Sequence, residues 1–289
     1  MSFDSRSQSS GFILNLCPTG IMLSRAQSPH VPLTPAEIVA DVDRCVVHGA
    51  NLIHLHARDG QGHPHYSRDI YARIIGGIRE LHPDLTLCVS LSGRWHPEFD
   101  LRTDPLMLTG DLRPDMGSLT LSSLNFNGQV SVNAPDDIRR MAELMIEKGI
   151  KPELEIFDLG MLNYARYLID KGVFQPPYYF NLLLGNIAGA QATPAHLAAL
   201  LSELPPDAIC CVAGIGQQQT QANMLGLLFC DGARVGLEDN PWYDSNRQTM
   251  ARNVDLVKRV RTAADLLELV PATPAAVRER LGILPLASC

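Results

Sequence analysis

The sequence predicts a (β/α)8 barrel, a closed TIM-type ring of parallel strands, on three observations. Eight short apolar runs recur along the chain, nearly every one followed by a helical pattern. Such alternation builds a parallel sheet, because parallel neighbours need crossover connections. The chain has 289 residues, 46% of them hydrophobic, which suits one large domain better than two small ones. The first apolar run is not followed by G-x-G-x-x-G, which counts against an open doubly wound sheet with a dinucleotide site. Residues 1–10 are polar and Ser-rich and are expected to be loosely ordered, with 11–289 forming one barrel domain that ends in a helical extension.

Strand one spans 12–17 and is stopped by Pro18-Thr19-Gly20. Thr34, Pro35 and Glu37 supply an N-cap, a proline in the first turn and an acid near the positive helix end, so helix one runs from there to His48 with Gly49 behind it. Strand two covers 52–56, helix two 67–81 and strand three 85–90. Residues 97–113 are irregular and are expected to form a loop over the site. Strand four is 116–120, followed by helix four at 134–148; strand five is 153–157, followed by helix five at 161–171. Strand six is 179–184, and Thr193-Pro194 opens helix six. Strand seven is 209–213, helix seven 217–229 and strand eight 233–237. Helix eight runs from about Arg247 to Leu267, and a short helix at 273–281 closes the chain.

A net charge of −7 with no basic stripe argues against nucleic acid or anionic membranes as partners. No apolar run approaches the roughly 20 residues that span a bilayer. The N-terminus lacks the basic start and apolar stretch of a secretory signal, so a cytoplasmic location is expected. Cys17, Cys45, Cys88, Cys210, Cys211, Cys230 and Cys289 show no CxxC spacing and fit buried, reduced thiols.

Chemistry concentrates at the C-terminal strand ends of such barrels. His54 and His56 end strand two; side chains two apart on a strand share a face, so both imidazoles can reach one metal ion. Two imidazoles and a carboxylate with open positions suit catalytic zinc, or a facial-triad metal such as Fe(II) or Mn(II). Glu238, at the end of strand eight, is the candidate carboxylate, reaching over the axis from the opposite wall; a salt bridge to Arg234 is its other reading. Asn15, Ser90, Ser92, Thr120, Ser122, Asn125, Glu153, Glu155, Asp158, Arg234, Asp239 and Asn240 gather at the same rim. Polar groups in buried strands are costly unless paired or liganded, so packing alone does not explain so many.

Leu16-Cys17-Pro18-Thr19-Gly20, Ile53-His54-Leu55-His56-Ala57-Arg58-Asp59, Pro152-Glu153-Leu154-Glu155-Ile156-Phe157-Asp158 and Arg234-Val235-Gly236-Leu237-Glu238-Asp239-Asn240 resemble the β-keto acid cleavage enzyme family, in register from about residue 12 to 281. The resemblance implies a zinc-dependent barrel enzyme that condenses a β-keto acid with acetyl-CoA, giving acetoacetate and a new acyl-CoA. It implies a homotetramer as well. His54, His56 and Glu238 match the family's zinc ligands, and Asp239 with Arg234 matches the pair that removes a proton from the keto acid's C2. Ser90 matches the serine of the family's site, and Glu155 is the strand-five acid, with Glu153 as the alternative register. Ser92 and Asn125 are expected to face the substrate. Gly185 and Gly189 after strand six, with Gly214 and Gly216 after strand seven, are expected to hold CoA phosphates or the carboxylate near helix N-termini, while Gly214-Ile215-Gly216 reads equally as a plain βα turn. Members that cleave 3-keto-5-aminohexanoate carry an acid for the substrate's ammonium where this chain has Met22. A thioether cannot pair with an ammonium, so an uncharged or apolar β-keto acid is expected, unless Arg94 receives a second carboxylate.

Three other readings compete. A Claisen-type metallolyase barrel carries His-x-His late in the chain, at strand seven, where this chain has Cys210-Cys211. Amidohydrolases place His-x-His on strand one and further histidines on strands five and six, where none of the remaining histidines of this chain falls. A non-catalytic barrel binding metal and ligand would keep the metal ligands but need no base such as Asp239.

Overall fold

The computed structural model describes residues 11–283 and forms a closed barrel of eight parallel strands. These are β1 (Ile13–Leu16), β2 (Leu52–Leu55), β3 (Thr86–Val89), β4 (Met116–Thr120), β5 (Lys151–Ile156), β6 (Tyr178–Leu184), β7 (Ala208–Gly214) and β8 (Gly232–Val235). They pair in chain order, and β8 closes on β1 with Asn15 opposite Arg234. The helices are α1 (Pro35–Val46), α2 (Arg68–Leu81), α3 (Phe99–Thr103), α4 (Pro135–Glu147), α5 (Leu159–Asp170), α6 (Pro194–Glu203), α7 (Gln219–Phe229), α8 (Asn253–Leu266) and α9 (Pro274–Arg280). No helix among the described residues is long and apolar enough to cross a membrane.

Local sequence chemistry sets most helix starts. Thr34 and Glu37 form a reciprocal capping box at α1, and Arg25 clamps Glu37 through bonds of 2.7 and 2.8 Å. Asp158, expected at the barrel mouth, accepts from the Met161 amide and caps α5. Strand alternation then layers the barrel interior. Ile13, Leu52, Cys88, Met116, Tyr179 and Cys211 form an apolar floor, sealed from below by Val277 and Leu281 around α9. Each such side chain contributes roughly 1.5–3 kcal/mol by leaving water. One pleat higher, Asn15, His54, Glu153, Asn181 and Arg234 point inward and are buried. The opposite faces, including Leu14, Ile53, Leu87, Leu119 and Val212, pack in the large apolar cluster beneath the helices.

The structure departs from expectation in three places. Residues 97–113 do not cover the site; they form α3 and two 3-10 turns held to α2 by Arg68 and Asp104. The overhang is instead a hairpin pairing Leu124–Phe126 with Gln129–Ser131 around Asn127-Gly128, and a smaller hairpin pairs Ala57–Arg58 with Pro64–His65. Finally, α8 starts at Asn253 rather than Arg247. The Asp244 carboxylate accepts from the Gln248 and Thr249 amides, and this Asp-Ser-Asn stretch turns with Arg247 at φ 58° instead of entering the helix. The six described cysteines are buried and form no disulfide, as expected; Cys289 and residues 1–10 lie outside the described residues.

Candidate active site

His54 and His56 project inward from the end of β2, with their Nε2 atoms 3.3 Å apart. Glu238 Oε1 lies 3.2 Å from the His56 Nε2 and 3.9 Å from the His54 Nε2. Ligands about 2.1 Å from a tetrahedral ion sit about 3.4 Å from one another, so these three donors have the spacing of a cation cradle. The second Glu238 oxygen, Oε2, is buried and has no hydrogen-bond partner among the described residues. The carboxylate does not come from the opposite wall, however. β2 and β8 flank β1 on either side, and Glu238 approaches across the turn that follows β1. Gly20 makes this approach possible: its φ is +61°, and a Cβ there would sit 2.6 Å from Glu238 Cγ.

Beneath the cradle, His54 Nδ1 is 2.6 Å from Glu153 Oε2. Asn15 and Asn181 donate to the other Glu153 oxygen at 3.0 and 3.2 Å, and Cys88 donates its thiol at 3.3 Å. Burial pushes the Glu153 carboxyl up, but His54 and Arg234 pull it down further, so it is held ionised. An ionised carboxylate only accepts, so His54 Nδ1 carries the hydrogen and Nε2 presents its lone pair to the cradle. Burial lowers the His54 pKa while Glu153 and Glu238 raise it, and the net shift is upward. His56 shifts downward, because burial outweighs Glu238.

Arg234 is almost fully buried and joins the acids. Its Nε and Nη2 bond the two Asp239 oxygens at 3.1 and 3.2 Å, and Nη2 bonds Glu238 Oε1 at 2.7 Å. Its Nη1 is 3.7 Å from Glu155. Glu238 is therefore both a cradle donor and the ion-pair partner that was its other reading. Cys17 donates to Asp239 Oδ2 at 3.1 Å. Burial raises the Asp239 carboxyl, Arg234 lowers it and Glu238 raises it, leaving it above the ordinary range. Burial likewise carries Glu155 upward, although Thr120 donates to it at 2.6 Å.

These groups border a cavity of about 310 Å³. Of the residues expected to meet substrate or cofactor, Met22, Ser90, Ser92, Arg94, Glu155, Gly185, Arg234 and Asp239 line it together with His54, His56 and Glu238. Asn125 does not. Alternation along its hairpin turns Leu124 and Phe126 to the cavity and leaves Asn125 exposed, with its carbonyl accepting from Asn186. Gly189 lies in a neighbouring cleft beside His196. A Cβ on Gly214 would strike the Gln218 carbonyl, so that glycine serves the turn. Gly216 has φ +60°, and its amide donates to the Asp239 carbonyl at 2.8 Å, which ties the loop after β7 to Asp239 without facing the cavity. The α6 N-terminus is closed by its own Thr193 cap, and α7 is preceded by a 3-10 turn. Among the described residues, His54 and His56 are the only histidines on the cavity wall, so the amidohydrolase pattern does not form. The role of Glu153 beneath His54, the Cys17 thiol and the apolar wall of Phe126, Phe157, Ile187 and Ile215 were not anticipated; the Asn127-Gly128 pair is a hairpin signal that points to part of that wall.

A closed parallel barrel with a three-donor cradle and a guanidinium-bound carboxylate at one mouth defines a class, a (β/α)8 enzyme whose site suits a divalent cation. Within that class the chain belongs to the β-keto acid cleavage enzyme family, whose model matches residues 12–283. It is 32% identical over 272 residues to the 3-keto-5-aminohexanoate cleavage enzyme of Acetoanaerobium sticklandii, covering 94% of this chain and 98% of that one. It is 34% identical over 276 residues to the 3-oxoadipate:acetyl-CoA acetyltransferase of Cupriavidus necator, covering 94% of each. In three dimensions it resembles apo ObcA with a TM-score of 0.79 and 23% identity, a likeness of fold that covers 90% of this chain and 66% of ObcA.

Proposed function

We propose that the protein condenses a β-keto acid with acetyl-CoA and releases acetoacetate and a new acyl-CoA, at a Zn²⁺ held by His54, His56 and Glu238. In this exchange the keto acid's C2 loses a proton and bonds to the acetyl carbon as the acetyl C–S bond breaks and CoA leaves. The freed CoA sulfur then adds to C3, the C2–C3 bond breaks to give the new acyl-CoA, and C2 takes back a proton to give acetoacetate. The carrying observation is the juxtaposition, in one cavity, of the three-donor cradle and the Asp239–Arg234 pair.

Bound there, Zn²⁺ supplies Lewis-acid polarisation of the ketone and carboxylate oxygens, which acidifies C2. Asp239 accepts the C2 proton. Its two bonds to Arg234 fix the carboxylate's plane, and the Gly216 amide fixes its backbone. Ser90 and Ser92 line the same wall and offer hydroxyl donors to the substrate carboxylate. Glu155, held by Thr120, stands across from Asp239 on Arg234 and serves as the second acid of the pocket. Met22 gives no partner to an ammonium, so 3-keto-5-aminohexanoate is a poor substrate in this reading. Gly185 and the adjacent loop after β6 form the rim offered to CoA. The enzyme acts in the cytoplasm as a homotetramer; the exposed Leu266 and Val270, beside the end of α8, are apolar surface suited to a subunit contact.

Elemental analysis of the purified protein, coupled to a screen of β-keto acids with acetyl-CoA, tests the reading. Asp239→Asn is expected to keep about one zinc per chain and lose turnover by at least about a hundredfold. Retained turnover removes Asp239 as the base, and a different metal replaces zinc in the proposal.

A further inference from the structure

Arg94 differs from every other charged residue on the cavity wall. Arg234 is bonded to Asp239 and Glu238 through its Nε and Nη2, with Glu155 3.7 Å from its Nη1, and the acids face either Arg234 or the cradle. Among the described residues the Arg94 guanidinium makes no ion pair and no hydrogen bond, and its Nε is fully buried. The side chain is nevertheless held in place. Its Cζ stacks 3.7 Å from the centre of the Phe126 ring, its amide leans on Ser92 Oγ, and its carbonyl accepts from Gln129. Stacking occupies the face of the guanidinium and leaves its in-plane donors, a fork shaped for a carboxylate, unused. Burial lowers the Arg94 pKa, and the charges of Glu238, Tyr66 and Glu155 only partly offset it. A cation partly removed from water without an anion is costly, and such groups are commonly completed by a ligand. The cavity that holds both Arg94 and the cradle is also lined by Leu124, Phe126 and Phe157, apolar side chains suited to methylenes. Met22, on the same cavity, carries no charge that would repel or replace an incoming anion.

We infer that the preferred substrate is a β-keto dicarboxylate, whose first carboxylate and ketone meet the cradle and whose far carboxylate is received by the Arg94 fork. This rests on the reaction proposed above and names its substrate class.

The test uses the metal-loaded enzyme with acetyl-CoA and three keto acids: 3-oxoadipate, the neutral 3-oxohexanoate of equal chain length, and 3-keto-5-aminohexanoate. Wild type is expected to favour 3-oxoadipate over 3-oxohexanoate by at least about tenfold in kcat/KM, the size of one hydrogen-bonded charge. In Arg94→Met that ratio should collapse towards one through the KM of the dicarboxylate, with the KM of acetyl-CoA unmoved. Arg94→Lys, which keeps the charge and loses the fork, should retain part of the preference. Metal content and melting temperature of both variants identify any failure to fold, and the wild-type ratio stands independently of them. Wild type that cleaves the neutral acid as well as the dicarboxylate overturns the inference and leaves the reaction intact. A ratio unchanged in Arg94→Met with a raised KM for acetyl-CoA also overturns it and assigns Arg94 to a CoA phosphate. Wild type that cleaves none of the three overturns the reaction itself.

Discussion

Glu153→Gln should weaken the proposed metal site although Glu153 is not one of its three donors. The two oxygens of Glu153 face four donors: Asn15 and Asn181 on Oε1, His54 and Cys88 on Oε2. A glutamine has one oxygen and one NH2, so either orientation points a donor at donors. If the NH2 faces His54, the 2.6 Å charge-assisted bond is lost, and His54 is free to adopt the tautomer that places its hydrogen towards the cradle. A hydrogen bond to a charged group is worth about 1.5–3 kcal/mol. Removing the partner behind a ligating histidine typically costs about 10–100-fold in metal affinity, which is about 1.4–2.8 kcal/mol. Competition between the protein and a chromophoric chelator for Zn²⁺ measures this directly, with the melting temperature followed in parallel. A folded variant whose zinc affinity stays within about twofold of wild type would refute the reasoning. So would a lowered melting temperature with unchanged affinity, since Glu153 would then support the fold alone.

Gly20→Ala places a methyl 2.6 Å from Glu238 Cγ at φ +61°; a loss of about 1–3 kcal/mol in stability and weaker zinc binding are expected, read by thermal melting and chelator competition, and a melting temperature unchanged within about 1 °C contradicts it. Lys151 has its pKa pushed down to about 8 by burial alone. A base whose folded pKa is depressed costs stability while it is charged, below about pH 8, and that cost fades as pH rises towards its unfolded value. Lys151→Met should therefore stabilise the protein at pH 7 by about 1 kcal/mol, after discounting for partial exposure, and the gain should vanish above about pH 10; urea titrations across that range check the sign.

The barrel was legible because its signals are local. Thr34-Pro35 and Thr193-Pro194 mark helix starts whose caps form as expected. Strand alternation carried further than the ligands: once His54 faces inward, period two puts Asn15, Glu153 and Asn181 on the same inner surface. What it does not give is height along the axis. Glu153 and Glu155 share a face, and only the register between β5 and its neighbours places one under His54 and the other on the cavity wall. The strand-end residues of β2 and β8 were recognisable from their residue types, but their approach across β1 follows from ring closure, which no local pattern encodes. Asn125 was expected to face the substrate, but its side chain is exposed and off the cavity wall. Once Asn127-Gly128 is taken as a turn, alternation exposes Asn125 and directs Phe126 towards Arg94. Composition leaves both readings of the glycines after β7 open, because a turn forced by close backbone packing and a phosphate cradle call for the same residues; the contact a Cβ on Gly214 would make with the Gln218 carbonyl accounts for that glycine by the turn.

Four carboxylates, those of Glu153, Glu155, Glu238 and Asp239, crowd around a single guanidinium, that of Arg234. In a poorly polarisable interior such an excess of like charge is repulsive, and the proposed dication at the mouth would offset much of it. Loading that ion would thereby be thermodynamically linked to keeping the chain folded. Mutations that erode this electrostatic balance should register first as shortened cellular lifetime of ion-poor protein, before any change in turnover by the loaded fraction.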